Sequence, residues 1–568
     1  MNRKFTEMPY ERPDMAALIA KGSSLVEGVK NAKSAAEVLE QHRIFSEIYM
    51  NFSTLGSICY VRHTVNTKDE FYDGENDYFD ENNPFFEKIA VDFYHEMVNS
   101  PFRAELTETL GDLWFTNAEL RLKGFDIRII EEMQKENALC SRYQKLLASA
   151  SLDFDGKKVN LSQLRAYQLS QDRSVRKAAY AKRTEFFVEH ETELDDIYDE
   201  MVKLRTGMAE KLGYKDYVEL GYARMMRNSY DAETVSRFRE QVKKTLVPFL
   251  AELHELRRKD ISVDKLKFYD DDIFFADGNP VPKGSPDEMF QAGKKMYGEL
   301  SAETLEFFDF MLRNELFDVL AKEGKAGGGY CTEFLDYGAP FVFANFNGTS
   351  EDVDVLTHEC GHAFECYLAN NVDILEYKEC TYDVAEIHSM SMEFFTGNWM
   401  RLFFSDETEK FLYMQLASAL VFLPYGCMVD EFQHIVYENP GMTPAERKAA
   451  WLRLESEYKP YLDYDGDPFF GKGGAWQRQS HIYERPFYYI DYCIAQTCAL
   501  QYRVWMETDR AAAWKSYVGL LKKAGTRTLT DIVAEAGLKS PFEPGCIDAI
   551  ITGAKKILYE GLNIRKRG

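Results

Sequence analysis

Cysteine is scarce in this chain of 568 residues: there are ten, scattered from Cys59 to Cys546, with no Cys-x-x-Cys pair. That spacing excludes a disulfide scaffold and a zinc ribbon, and it suits a reducing compartment. Positive charge is also in short supply. With 68 Lys and Arg against 93 Asp and Glu the formal net charge is −25, which repels nucleic-acid phosphate and anionic lipid. The densest basic runs, Leu256-Arg257-Arg258-Lys259 and Arg565-Lys566-Arg567, read as a solvated helix face and a tail. A long hydrophobic run is missing as well. The longest, Leu416 to Val429, is broken by Pro424 and is shorter than the ~20 residues that cross a bilayer. The start, Met1-Asn2-Arg3-Lys4-Phe5-Thr6-Glu7, lacks the apolar core of a signal peptide, and no repeat of fixed period recurs. These absences predict a cytoplasmic protein with neither nucleic acid nor membrane as a partner; oligomeric state is left open.

What is present describes a folded body. Hydrophobic residues make up 45% and charged residues 28% of the chain, the balance of an ordinary globular protein, and the length corresponds to three or four domains of ~150 residues or to one large lobed enzyme. Aromatic residues reach 14%, which serves bulky packing and also suits a peptide-binding cleft. Helical periodicity dominates. Ile44, Ile48 and Phe52 begin it, a polar stretch from Thr67 to Asn76 reads as a loop, and Ser174 to Lys211 reads as long amphipathic helix. Turn residues cluster at 263–288. Strand-like text is confined to Tyr330–Phe334 and Pro340–Phe346, separated by Asp336, Tyr337 and Gly338, which predicts one small antiparallel hairpin. The predicted class is mainly α, with a helical N-terminal lobe over 1–260 and a catalytic lobe over 261–568, the two interwoven.

The chemistry is concentrated in Thr357-His358-Glu359-Cys360-Gly361-His362. On a helix, residues four apart share a face, so His358 and His362 can turn their imidazoles to one metal ion with Glu359 beside them. Thr349 to Asp352 supply a polar, acidic helix start, and Val353, Leu356, Cys360 and Phe364 make an apolar stripe. A catalytic zinc takes a third protein ligand and keeps one open position. Glu365 and Leu368 stand where a metzincin needs Gly and a third His, so that class is excluded. Glu386, 24 positions after His362, is a candidate; it could instead form a capping box with Asp383, and Glu376, Glu379 and His388 remain candidates too. Glu393, seven residues beyond Glu386, could orient a liganding histidine. The expected chemistry is peptide hydrolysis by a zinc-activated water, with Glu359 accepting its proton and passing it to the leaving amine. Oxyanion donors are expected from Ser480-His481-Ile482-Tyr483 and Pro486 to Tyr492. The glycine-rich segments Gly324 to Gly329 and Gly471 to Gly474 lack the Lys-Ser/Thr ending of a P-loop.

Together with Arg62, Asn66 to Tyr72, Gly328-Gly329-Tyr330-Cys331, Asn345-Phe346 and Pro486-Phe487-Tyr488, these residues resemble the thimet oligopeptidase and oligoendopeptidase F family of zinc metallopeptidases, in its shorter oligoendopeptidase F and Pz-peptidase branch. The resemblance covers most of the chain. It implies a two-lobed helical body around a deep channel, one zinc per chain held by His358, His362 and Glu386, and Glu359 as the catalytic base. It also implies an endopeptidase that cuts short peptides and spares folded proteins. His481, Tyr488 and Tyr492 fall where the family binds the carbonyl, with Tyr483 and Tyr489 as neighbours and Tyr489 a substrate contact. The backbone of Ala344, Asn345, Phe346 and Asn347 would pair with substrate in β fashion. Two other readings are a carboxypeptidase of the Taq type, with Arg478 or Arg485 gripping a C-terminal carboxylate, and a silent peptide-binding scaffold. Cys360, inside the motif, reads as a buried inert thiol.

Overall fold

After a helix over Met15–Asn31, two longer helices follow, and both carry buried residues at a spacing of seven. Helix α1 (Ala35–Val65) buries Val38, Phe45, Phe52 and Cys59, and helix α2 (Glu70–Val98) buries Phe79, Phe86 and Phe93. Seven-residue spacing keeps one seam facing its partner, and here the seam is aromatic: Phe45 lies 4.3 Å from Phe93 and Phe52 lies 3.9 Å from Phe86, ring centre to ring centre. The buried seam of α1 therefore runs through 38, 45, 52 and 59, and Ile44 and Ile48 sit at its half-buried margin. The polar stretch at 67–76 is a loop only as far as Asp69, whose carboxylate caps α2 by accepting from the N–H groups of Phe71 (3.0 Å) and Tyr72 (3.2 Å). Its acidic residues are first-turn helix residues, favourable at that end of the dipole. This computed structural model describes residues 3–561, so the basic run at 565–567 lies outside the described residues.

Helix α3 (Arg173–Glu189) belongs to the helical stretch expected between 160 and 260. The chain then runs without long elements from 261 to 285 before helices resume at Pro286. The sheet near the motif has three strands, one more than the expected hairpin. They are β1 (Phe317–Leu320), β2 (Tyr330–Phe334) and β3 (Ala339–Phe346), in the order β1-β3-β2. Strand β2 pairs antiparallel with β3, Tyr330 opposite Phe343 and Phe334 opposite Ala339, while β1 pairs parallel, Phe317 opposite Val342. Four residues with one fully buried position carry too little alternation to announce β1. A separate two-stranded hairpin, Leu152–Phe154 with Lys157–Val159, turns on Asp155-Gly156 with φ of 50° and 72°; Asp-Gly between short apolar runs is a hairpin signal.

Helix α4 (Glu351–Ala369) follows β3 and carries the His-Glu-x-x-His motif. The turn into it is tied by Asp352, which accepts from the N–H groups of Asn347 and Gly348 at 2.8 Å each. Helix α5 (Tyr382–Phe395) packs on α4, and Tyr517 of α7 (Tyr489–Leu521) donates to the His388 carbonyl of α5 at 2.7 Å. Helix α6 (Thr408–Glu438) is long and apolar enough to cross a membrane, yet its residues from Phe411 to Tyr437 are largely buried against neighbouring helices, α7 among them. One large apolar core joins these elements to helices between 130 and 260; a smaller one is built mainly from residues 15–118.

The approach of α4 to α5 depends on Gly361. A Cβ there would stand 2.6 Å from the Ser389 Cα and 2.8 Å from the His388 carbonyl oxygen, both backbone atoms. Backbone does not yield cheaply, so Gly361→Ala is expected to cost about 1–3 kcal/mol or more and to loosen metal retention by moving α5. A lowered melting temperature together with a lowered metal content would show this; an unchanged metal content would separate the helix contact from the site.

Candidate active site

The two histidines of α4 stand one turn apart, as their spacing requires, with ring centres 5.1 Å apart. Helix α5 brings Glu386 to both: its Oε2 lies 3.3 Å from His358 Nε2 and 3.4 Å from His362 Nε2. The three ligand atoms fall within 4.8 Å of one another. Ligands at about 2.0–2.1 Å in a tetrahedral shell lie about 3.3 Å from each other, so the two imidazole–carboxylate separations suit one zinc-sized cation. The donor set, two imidazoles and a carboxylate, suits the same ion.

Each ligand is held from behind. Glu393 Oε1 lies 2.7 Å from His358 Nδ1; it accepts the Nδ1 proton and fixes the ring with Nε2 facing Glu386. Glu386 is almost fully buried and accepts from Ser389 Oγ at 2.9 Å and from the Tyr488 hydroxyl. Burial alone would raise its pKa, but the His362 and His358 imidazoles reverse this and hold the carboxyl well below its usual range. Glu359 is also buried, and its carboxylate receives no hydrogen bond from any described residue. Burial is the largest influence on it and pushes its pKa up, against the pull of His358 and His362. A carboxylate raised by desolvation and free of donors is suited to take and return a proton.

A second group faces this cluster from the turn before α7. Phe487 holds that turn with φ of 68°, an uncommon value for a bulky residue; its N–H donates to Gln433 (2.9 Å) and its carbonyl accepts from Arg227. His481 is oriented by a relay. The Tyr425 hydroxyl donates to Gln479 Oε1 (2.8 Å), so the Gln479 amide donates to His481 Nδ1 (2.8 Å), and Nε2 carries the ring proton toward Tyr492, whose hydroxyl lies 3.3 Å away. Burial lowers the His481 pKa to about 4, so at neutral pH the ring is an uncharged N–H donor. Tyr488 and Tyr492 stand 4.9 Å apart, ring centre to ring centre.

The signature described as Peptidase family M3 matches residues 166–277 and 300–551, well over half the chain, and the Peptidase M3 N-terminal domain matches residues 5–125. The chain belongs to peptidase family M3. Among curated relatives, oligopeptidase PepF of Bacillus subtilis (strain 168) is 22% identical over 562 residues, covering 91% of this chain and 80% of the relative. Among solved structures, PZ peptidase A with inhibitor 2 is 48% identical with a TM-score of 0.96, covering 98% of this chain and 99% of the other. A structure assigned as an oligoendopeptidase F from Bacillus anthracis str. Ames is 46% identical with a TM-score of 0.92, covering 98% of both chains. The helical fold of this M3 peptidase is the one its sequence resemblance implied.

The other candidates separate clearly. Glu376 takes His42 Nε2 at 2.9 Å and the Tyr94 hydroxyl at 3.1 Å, beside α1 and α2. Glu379 is found in neither ligand-like group, and His388 belongs to a different one with Glu365 and Cys380. Asp383 makes no capping box with Glu386: Thr381 is the helix cap residue, and Asp383 accepts instead from Tyr230 (2.8 Å) and its own helix start. Tyr483 is a core residue, stacked 4.0 Å from Tyr143 with its hydroxyl on the Leu194 carbonyl. Tyr489 packs between Phe422 and Tyr425, 5.8 Å from each, and against His481 at 5.0 Å. Cys360 is fully buried, and burial pushes its thiol pKa up, which makes it unreactive.

Strand β3 is central, but its two flanks are not covered equally: β1 runs along it as far as Phe346, whereas β2 pairs with Ala339–Phe343 only, so Ala344–Phe346 extend beyond β2. Asn347 gives its N–H to Asp352, and Asn345 holds the glycine-rich loop by donating to the carbonyls of Ala326 (2.8 Å) and Gly328 (2.9 Å). Ala344 and Phe346 are buried. The outer edge of the sheet beside the motif is β2. Sequence reasoning also passed over Ser389, Gln479 and Tyr425, which bind the ligands and the imidazole through tertiary contacts that no local spacing announces.

Proposed function

We propose that this M3 peptidase is a zinc-dependent endopeptidase that hydrolyses internal bonds of short peptides in the cytoplasm, with one zinc per chain. The observation that carries this is the convergence of His358 Nε2, His362 Nε2 and Glu386 Oε2 beside a buried Glu359 carboxylate that no donor among the described residues occupies. A zinc ion held by those three residues supplies Lewis-acid polarisation of the peptide carbonyl and makes water a better acid. Glu359 accepts the proton of the attacking water on its carboxylate and delivers it to the nitrogen of the leaving amine as the C–N bond breaks. The His481 Nε2–H and the Tyr492 hydroxyl give the developing oxyanion its donors, and Gln479 fixes the imidazole tautomer that makes this possible. Tyr488 steadies Glu386, and Tyr489 lines the approach. Segments 1–260 and 261–568, joined through the shared core, form the walls that admit an extended peptide and exclude folded protein.

Digestion of a peptide blocked at both ends tests the reading. Internal cleavage that stops on chelation and returns with one equivalent of zinc is expected; release of C-terminal residues only, and only from unblocked peptides, would replace the endopeptidase reading with the carboxypeptidase one. His481→Ala is expected to lower kcat by about 10²-fold, the usual worth of an oxyanion donor, with a smaller change in KM. Steady-state kinetics check this, and a pure KM effect would assign His481 to ground-state binding.

A further inference from the structure

In a chain with 25 more acidic than basic side chains, an arginine without a carboxylate partner stands out. Arg183 and Arg478 are two such residues: among the described residues neither guanidinium makes an ion pair or a hydrogen bond. Arg183 is half-buried, and its Nε is buried without an acceptor. An unpaired guanidinium nitrogen out of water is costly unless an anion comes to it. Aromatic rings hold both residues. The Arg478 guanidinium lies 5.9 Å from the centre of the Tyr425 ring, and that of Arg183 lies 5.8 Å from Phe187.

The neighbouring carboxylates are committed elsewhere. Asp272 takes Arg165 at 2.6 Å and the Tyr180 hydroxyl at 3.3 Å, and Glu455 takes the Trp451 indole N–H at 2.8 Å and the Tyr464 hydroxyl. Tyr180 and Arg183 are three residues apart on α3, hence on one face. Burial first, and then the nearby charge of Arg478, lower the Arg183 pKa to about 10, with Tyr180 and Asp272 pulling the other way; the two cations share one region with Asp272, a carboxylate already paired with Arg165.

Contacts tie that region to the reaction centre on two sides. Arg478 leads through Tyr425 and Tyr489 to His481, and Arg478 is followed in sequence by Gln479, which orients that histidine. On the other side Arg165 joins Asp272 to Glu351, the first residue of α4, at 2.8 Å. Resting on the peptidase reading above, we propose that Arg183 and Arg478 together bind the free α-carboxylate of a bound peptide on the leaving-amine side of the cleaved bond. Two planar donor forks suit a carboxylate. The site thereby limits how much chain extends past the cut, which favours short peptides with an intact C-terminus.

The test separates this proposal from the peptidase reading. Calorimetry on the zinc-loaded Glu359→Gln protein compares one peptide with a free C-terminus, its C-terminal amide, and an amidated version bearing a terminal Asp; the same titrations follow on that background with Arg183→Gln, Arg478→Gln and both. The free acid is expected to bind at least about tenfold more tightly than the amide, and that ratio is expected to collapse to within twofold in the double variant, whose melting temperature checks its fold. An acid-to-amide ratio that the substitutions leave unchanged overturns the proposal. So does tight binding restored in full by the Asp side chain, which would make this a side-chain pocket. Cleavage by the wild-type protein is scored separately: a failure there sinks the peptidase reading and leaves the carboxylate titration to stand or fall by itself.

Discussion

Glu359→Gln lowers kcat/KM for a short peptide by about 10³-fold, within the range of 10²–10⁴ that a positioned general acid–base contributes, while zinc content and peptide affinity stay close to wild type. The expectation rests on the isolation of this side chain. Its carboxylate has no donor among the described residues, so replacing one oxygen with an amide breaks no structural hydrogen bond and leaves the apolar packing of α4 in place. What disappears is the capacity to hold a proton. Burial raises the Glu359 pKa, which brings it nearer the working range of a base that must also release its proton to an amine. Initial rates, elemental analysis and the melting temperature belong together here. Hydrolysis within tenfold of wild type would remove Glu359 from the mechanism, and Glu393, already occupied by His358, would be a poor substitute. Lost zinc would show instead that Glu359 supports the ligands.

The sequence announced those parts of the site that depend on a single helix. His358, Glu359 and His362 follow from spacing on α4, and Glu393 from its seven-residue distance to Glu386 on α5. The third ligand was open among Glu376, Glu379, Glu386 and His388 because the choice depends on how two helices dock, and docking is set by Gly361 against the Ser389 backbone. Nothing in local periodicity encodes that contact. The tyrosines were undecided for a similar reason: Tyr483 and Tyr488 are alike as text, yet one hydroxyl meets the Leu194 carbonyl in the core and the other meets Glu386. At the level of fold, helix content was legible from periodicity, whereas the polar residues at 70–76 hid the start of α2 because acidic first-turn residues resemble a loop. Strand β1 was too short to see. The aromatic excess found its main use in the Phe seam of α1 and α2 and in the rings around His481.

Glu386→Ala removes the metal and with it the activity, an outcome that separates the third ligand from every competitor. The carboxylate is the point where the two halves of the cluster meet: its Oε2 faces both imidazoles, and its other contacts come from Ser389 and Tyr488. Truncation leaves two histidines, too few to hold zinc against water and buffer, and it strips the acceptor from the Tyr488 and Ser389 hydroxyls. Replacing an outer-shell partner typically costs 10–100-fold in metal affinity, so Glu393→Gln should fall about there while Glu386→Ala loses more than about 100-fold. Glu376→Gln gives the contrast. It breaks the pairing with His42 and lowers the stability of the N-terminal helices, but zinc titrates into it as into wild type. Competition with a chromophoric chelator ranks the three proteins. Equal affinity of Glu386→Ala and wild type would move the third ligand elsewhere, and loss of zinc in Glu376→Gln would show where.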